Sequence, residues 1–322
     1  MAAEMSKERV FMIVNEGFRK NADTVIREIM AIREQASPEI MSMTSGLMDE
    51  LLHGLIFLGK IRDQPCSPEA ILGKGKTYLN LKTNYPEAFE TYSTHLPRRS
   101  PFSVVLEMVV KLKGQNNDKE IRETLQDIIL KIDLKNCRKL DRIFSSTLCV
   151  SHAKEDSKKY YGVSMSTTGP NAGRIVIAAS CLSSYWDEYV AGAVMTYYPQ
   201  KKKKSYFDGT FELHGDATCT AYSIKNGSEM DPCKSCGNLF GLKTTCEKEW
   251  PYGNCAEAES LSNLFRNDAE VKRKSRPTSD TCTPENRERA KDDTRRELTN
   301  TLQRVNFRWN GKYYSDKRRH YR

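Results

Sequence analysis

Apolar residues recur every three to four positions through roughly the first 150 residues, a period typical of helices that bury one face. The first such helix has an apolar face made of Val10, Phe11, Val14 and Phe18. A capping residue followed by proline, at Ser37-Pro38 and again at Ser100-Pro101, predicts two further helix starts. More helices are predicted after Asn84, Asp118 and Asn136. We therefore expect residues 1–155 to form an all-α helical domain.

The pattern changes after a polar segment at residues 151–160. β-branched and aromatic runs follow, and such runs are typical of strands. The four predicted strands cover residues 174–180, 189–198, 207–214 and 218–224. Helical periodicity returns at 236–245 and 255–265. Residues 156–265 are therefore expected to form an α/β domain with a small mixed sheet, which makes the whole chain an α+β protein.

The charge of the chain is concentrated near its end. The net charge is +9, and residues 265–322 carry 17 basic against nine acidic side chains. Residues 266–322 are therefore expected to be a basic, charged extension. A run of four lysines also falls in a loop between two predicted strands, so the candidate contacts to nucleic acid or a nucleotide are Lys201, Lys202, Lys203, Lys204, Lys272, Arg273, Lys274 and Arg276. The alternative is a solvated surface without a ligand.

Several classes of protein are excluded by composition. No apolar run approaches the ~20 residues that a membrane-spanning helix needs. The first residues mix acidic and basic side chains where a signal peptide has an apolar core. We therefore expect a cytoplasmic or nuclear protein without a membrane span. The helical N-terminal domain shows no catalytic constellation, and we expect it to contact a protein partner.

Four of the ten cysteines lie within 23 residues: Cys233, Cys236, Cys246 and Cys255. In a reducing compartment, clustered cysteines favour a metal site over disulfides. Two thiolates three residues apart at a helix start can bind one zinc ion, and Cys255 can supply a third ligand. Glu257 would then lie close to a water in the fourth position. Alternative ligands are Cys246 and His214.

The two motifs are Pro232-Cys233-Lys234-Ser235-Cys236 and Cys255-Ala256-Glu257. They resemble the signature of the zinc-dependent cytidine deaminase-like superfamily, toxin-type branch, which pairs His/Cys-x-Glu with Pro-Cys-x-x-Cys. The resemblance covers only the C-terminal half, and the two motifs stand here in reversed order.

The resemblance implies that Cys233, Cys236 and Cys255 hold zinc. It also implies that Glu257 is catalytic and carries a proton from water to the leaving amine. The implied function is a hydrolytic deaminase acting on nucleobases or nucleic acid, or a catalytically inactive relative of such enzymes. The competing hypothesis is a non-enzymatic nucleic-acid or protein binding module, in which Cys246 completes a closed structural zinc site with four cysteine ligands.

Overall fold

A computed structural model describes residues 7–132 and 138–315, and within them the chain is a mixed helical and sheet structure of the α+β class. The N-terminal helices are α1 (Lys7–Glu34), α2 (Pro38–Met43), α3 (Ser45–Lys60), α4 (Pro68–Leu72), α5 (Lys76–Asn84), α6 (Pro86–Thr91), α7 (Pro101–Lys113) and α8 (Asp118–Leu130). The later helices are α9 (Pro170–Leu182), α10 (Glu188–Tyr197), α11 (Lys234–Phe240), α12 (Ala256–Asn267), α13 (Ala269–Lys274) and α14 (Pro284–Arg304).

The caps that the sequence predicts at the N-terminal helices are formed. The side chain of Ser37 accepts a hydrogen bond from the backbone N–H of Ile40 at the start of α2. Ser100 accepts one from Ser103 at the start of α7. The predicted helix after Asn136 begins outside the described residues. Its expected continuation at Leu140 is only a short 3-10 turn.

One antiparallel sheet contains the four strands of the described residues. The strands are β1 (Thr147–His152), β2 (Tyr160–Val163), β3 (Thr218–Ser223) and β4 (Glu229–Met230). They lie in the order β2-β1-β3-β4, and every neighbouring pair is antiparallel. The prediction of a mixed sheet was therefore wrong. The predicted boundary at residues 155/156 falls in the connection between β1 and β2.

Two of the predicted strands are helices. Residues 174–180 lie in α9 and residues 189–198 lie mostly in α10. Both helices are buried along most of their length, so their sequences are largely apolar and lack the alternation of a surface element. A short apolar run of this kind does not distinguish a buried strand from a buried helix. The local signals that do favour helices are Pro170 in the first turn of α9 and the Asp187 side chain, which caps α10.

The third predicted strand, residues 207–214, lies outside the sheet. The backbone N–H groups of Phe211 and Leu213 donate to the carbonyl oxygens of Leu239 and Phe240, at the end of α11. The fourth predicted strand corresponds to β3. Its first residue pairs with His152 of β1, a strand that the sequence did not predict.

Helix α12 packs across the sheet. Ser260 donates to the hydroxyl oxygen of Ser151 on β1, at 2.7 Å. Asn263 donates to the carbonyl oxygen of Tyr161 on β2, at 2.8 Å. At Gly162 the backbones of β2 and α12 approach so closely that a Cβ atom would clash with the backbone of Ser260. These contacts fix the position of α12, whose start carries Cys255.

The hydrophobic core is continuous across the described residues. It includes side chains of the N-terminal helices, the sheet and the later helices, among them Phe57, Phe102, Leu148, Val194, Leu261 and Leu298. Leu298 belongs to α14, which packs on α9 and α10. The segment expected to be a charged extension therefore contains a packed helix. No helix of the described residues has both the length and the apolar character needed to cross a membrane.

Candidate metal centre

Three cysteine side chains converge where the starts of α11 and α12 meet. The Sγ atom of Cys233 lies 3.7 Å from that of Cys236 and 3.3 Å from that of Cys255. All three sulfurs lie within 4.8 Å of one another. Zn–S bonds of about 2.3 Å in a tetrahedral shell place neighbouring sulfurs about 3.8 Å apart. The three thiols therefore fit a zinc ion in both donor chemistry and spacing.

Helix starts position these thiols. Cys233 and Cys255 are the N-cap residues of α11 and α12, and Cys236 lies in the first turn of α11. Backbone N–H groups at a helix start point toward such side chains and favour a thiolate. Hydrogen bonds from the Cys236 and Cys255 thiols, and from backbone N–H groups, hold the pKa of Cys233 far below its usual range.

The connection between the two helices wraps around α11. The backbone N–H of Lys234 donates to the carbonyl oxygen of Lys248, and the Ser235 hydroxyl donates to that of Trp250, at 2.7 Å. Tyr252 stacks on Tyr197 with ring centroids 4.0 Å apart. These contacts bring the start of α12 to the start of α11, although Cys233 and Cys255 are 22 positions apart in sequence.

The two alternative ligands lie outside the group. Cys246 is partly buried in the connecting loop. His214 lies beside Asp216, with Nδ1 3.7 Å from a carboxylate oxygen. Among residues 7–132 and 138–315, only Cys233, Cys236 and Cys255 form a group with all ligand atoms within 4.8 Å. The four-cysteine set that includes Cys246 is therefore not assembled.

Glu257 is buried beside the sulfurs. Its side chain is 4% exposed. Burial raises its pKa, the negative charge of Cys233 raises it further, and a hydrogen bond from the Cys236 thiol acts in the opposite direction. The raised pKa favours the protonated form of this carboxyl group relative to one in water.

A small cavity touches one of the three cysteines. It has a volume of about 10 Å³ and lies against Cys255, between Val163, Met165 and Gly253. This is close to the smallest volume that holds one water molecule.

A second pair of thiols lies nearby in the sheet. The Sγ atoms of Cys149 on β1 and Cys219 on β3 are 3.4 Å apart. The charge of Glu257 raises the pKa of Cys149, although burial is the larger cause. The sequence did not single out this pair, because the two cysteines meet only through the register of β1 and β3.

The four-lysine run makes contacts within the protein. Lys201 donates to the carbonyl oxygen of Glu249, at 2.6 Å. Lys203 forms an ion pair with Asp208, and Lys204 donates to backbone carbonyl oxygens at the end of α10. Lys202 is exposed.

The second group of basic candidates lies on and after α13. Lys272 pairs with Asp187 at 2.8 Å, whereas Arg273 and Lys274 pair with Glu270. Lys272, Arg273 and Arg276 line one open groove of about 1320 Å³. The lysine run does not line this groove.

No protein-family model matches the chain, and neither a curated protein nor a solved structure shows significant similarity to it.

Proposed function

We propose that Cys233, Cys236 and Cys255 hold a zinc ion, and that the centre belongs to a hydrolytic deaminase acting on nucleobases or nucleic acid. The observation that carries the proposal is the convergence of the three sulfurs beside the buried carboxyl group of Glu257. A zinc ion with three protein ligands would supply an open, Lewis-acidic position that activates water.

The protein's own groups have distinct roles in this proposal. The three thiolates bind the ion, and their helix starts keep them in place. Glu257 takes a proton from the attacking water and gives it to the leaving amino group, so that water replaces the amine and ammonia departs. The carboxylate form of Glu257 would accept the first proton, and its protonated form would supply the second. The proposed contact surface for a nucleic-acid substrate is the open groove that contains Lys272, Arg273 and Arg276, which Asp187, Glu188 and Glu288 also line.

The metal content of the purified full chain tests the ligand set. We expect about one zinc per chain in the wild type, and a loss of at least nine tenths of it in Cys233→Ser, because two sulfurs hold zinc poorly. Cys246→Ser is the matched control and should keep its zinc. The ligand set is wrong if Cys246→Ser loses zinc as completely as Cys233→Ser. Wild-type protein that takes up no zinc contradicts the metal centre itself.

Ammonia release tests the chemistry. We expect zinc-loaded wild type to release ammonia from at least one of cytidine, adenosine, single-stranded DNA or RNA. Glu257→Gln should keep the zinc and lose activity by about 100-fold or more, since it cannot transfer the proton. Glu247→Gln, in the exposed part of the connecting loop, should retain activity. Release that persists in Glu257→Gln contradicts the assigned role.

A second candidate function is a binding module with a structural zinc. The cavity of about 10 Å³ beside Cys255 favours it, because that space holds no nucleobase. In this case zinc removal lowers the melting temperature, and no substrate releases ammonia from the loaded protein. Ammonia release from the zinc-loaded protein therefore separates the two candidates.

A further inference from the structure

A polar cavity of about 380 Å³ lies between α7, β2 and α12, apart from the three cysteines. This volume is in the range of sites for small molecules. Five basic side chains line it, namely Arg98, Arg99, Lys111, Lys158 and Arg266. Of the acidic side chains in the described part of the chain, only Glu107 and Glu259 do so.

The acidic side chains are already engaged. Glu107 forms ion pairs with Arg99, at 2.7 Å, and with Lys111, at 3.3 Å. Glu259 accepts hydrogen bonds from the hydroxyl group of Tyr185, at 2.7 Å, and from Ser103. Neither carboxyl group is therefore available to neutralise the other cations of the cavity.

Three cations are left without an acidic partner. In the described parts of the chain, no ion pair within 4.0 Å involves Arg98, Lys158 or Arg266. The Nε atom of Arg98 is buried and has no hydrogen-bond partner there. A buried N–H donor of a charged group destabilises the folded protein unless it has a hydrogen-bond acceptor.

The cations also repel one another. Burial lowers the pKa of Arg266, the charges of Tyr185 and Asp187 raise it, and the positive charges of Arg98 and Arg99 lower it further. A multivalent anion between these side chains would remove this repulsion. Arg266 and Lys158 are exposed on one side, which leaves a route for a ligand to enter.

We propose that this cavity binds a phosphate-bearing small molecule, with Arg98, Lys158 and Arg266 in contact with its phosphate oxygens. Planar guanidinium groups bind phosphate through paired hydrogen bonds, and three positive charges suit a doubly or triply charged group. The amide groups of Gln115 and Asn267 also line the cavity and can contact the rest of the ligand. This site uses no residue of the metal centre, and its occupation does not depend on zinc or on deaminase activity.

Titration calorimetry of the full chain at low ionic strength tests the proposal, with pyrophosphate and adenosine monophosphate as probes. We expect at least one of them to bind with one site per chain, and uncharged adenosine not to bind at this site. Binding by pyrophosphate alone would identify the phosphate group as sufficient. Binding by the nucleotide alone would show that contacts to the rest of the ligand, such as those from Gln115 and Asn267, contribute to the affinity.

Substitutions locate the binding site. Arg98→Gln and Lys158→Gln should each weaken binding about tenfold or more, since each removes a charge-assisted contact. Arg295→Gln removes an exposed arginine of α14 and should leave the affinity unchanged. Lys158 lies in an exposed loop, so its variant remains informative if Arg98→Gln folds poorly.

Two results would overturn the proposal. One is wild-type protein that binds neither probe at millimolar concentration. The other is equal affinity in the wild type, Arg98→Gln and Lys158→Gln. Binding that survives in the zinc-deficient Cys233→Ser variant would support this site separately from the metal centre.

Discussion

Burial favours the neutral form of three titratable side chains, because it lowers the pKa of His53 and raises the pKa values of Glu257 and Glu259. His53 lies in α3 and stacks on Tyr314 with ring centroids 4.3 Å apart. Burial lowers the pKa of His53 from 6.5 to about 3, and the charge of His95 contributes in the same direction. The folded protein therefore keeps this ring neutral at pH values where an unfolded chain protonates it.

Protonation of His53 in the unfolded chain predicts a loss of stability in mild acid. Above its unfolded pKa of 6.5, protonation of His53 contributes almost nothing to the free energy of unfolding. As the pH falls from 6.5 toward 3, only the unfolded chain binds the proton, and stability decreases by about 1.4 kcal/mol per pH unit. Urea unfolding at pH 7 and pH 5 should thus show a loss about 2 kcal/mol larger in the wild type than in His53→Phe.

The matched control for this comparison is His152→Gln, at a partly exposed position of β1. It should retain the pH dependence of the wild type. Glu257 and Glu259 have raised pKa values, so they add stability at low pH and lose that contribution as the pH rises. They are present in all three proteins and cancel in the comparison. Equal losses in the wild type and His53→Phe would contradict the prediction.

At the scale of elements, the approach of β2 to α12 controls the metal centre. Gly162 leaves no room for a side chain, since a Cβ atom there would clash with backbone atoms of Ser260 and Ala256. Ala256 is the first residue of α12, directly after Cys255. Any shift of the helix away from β2 therefore moves a predicted zinc ligand.

Gly162→Ala should consequently affect both stability and metal binding. We expect the free energy of unfolding to fall by about 1–3 kcal/mol, as for other overpacked sites. We also expect a lower zinc content, because Cys255 moves relative to Cys233 and Cys236. Gly215→Ala is the control, since a Cβ atom there meets nothing within 4 Å. Urea unfolding and metal analysis of the two variants measure both effects. If Gly162→Ala has the stability and zinc content of the wild type, the contact between β2 and α12 does not control the metal centre.

The elements differ in how well local sequence predicts them. The start of α7 is marked by Ser100 and Pro101, and both act within one helical turn. The strand β1 pairs with β2, a short distance along the chain, and on its other edge with β3, about 70 positions away. Nothing within its six residues reveals the distant partner. Helices α9 and α10 are buried by other elements on several sides. Their apolar runs therefore lose the polar face that marks most helices.

At the scale of the whole molecule, a buried polar network joins distant parts of the chain. Arg99 forms an ion pair with Glu50 of α3, at 2.8 Å, and its guanidinium group also donates to the hydroxyl oxygen of Tyr185. Tyr185 donates in turn to Glu259 of α12. The N-terminal helices and the helix that carries Cys255 and Glu257 are thus linked through charged and polar side chains. Removal of one partner from such a network leaves an uncompensated buried group.

The sequence by itself determined most of the N-terminal helices, the start of α12 and the presence of a cysteine cluster, whereas the helix predicted at 236–245 is the shorter α11 (Lys234–Phe240). Periodicity, caps and the spacing of Cys233 and Cys236 act over a few residues, so local sequence contains them. It also placed Glu257 next to a candidate ligand, because both belong to one helix start.

Only the tertiary structure decided which thiols meet. Four cysteines were candidates, and the path of the loop before α12 brings Cys255, not Cys246, to Cys233 and Cys236. The same holds for the cavity of Arg98, Lys158 and Arg266, whose residues come from three separate segments. Convergence of this kind depends on how helices pack on the sheet and on which charges become buried together. Those long-range contacts are absent from any local window of the sequence.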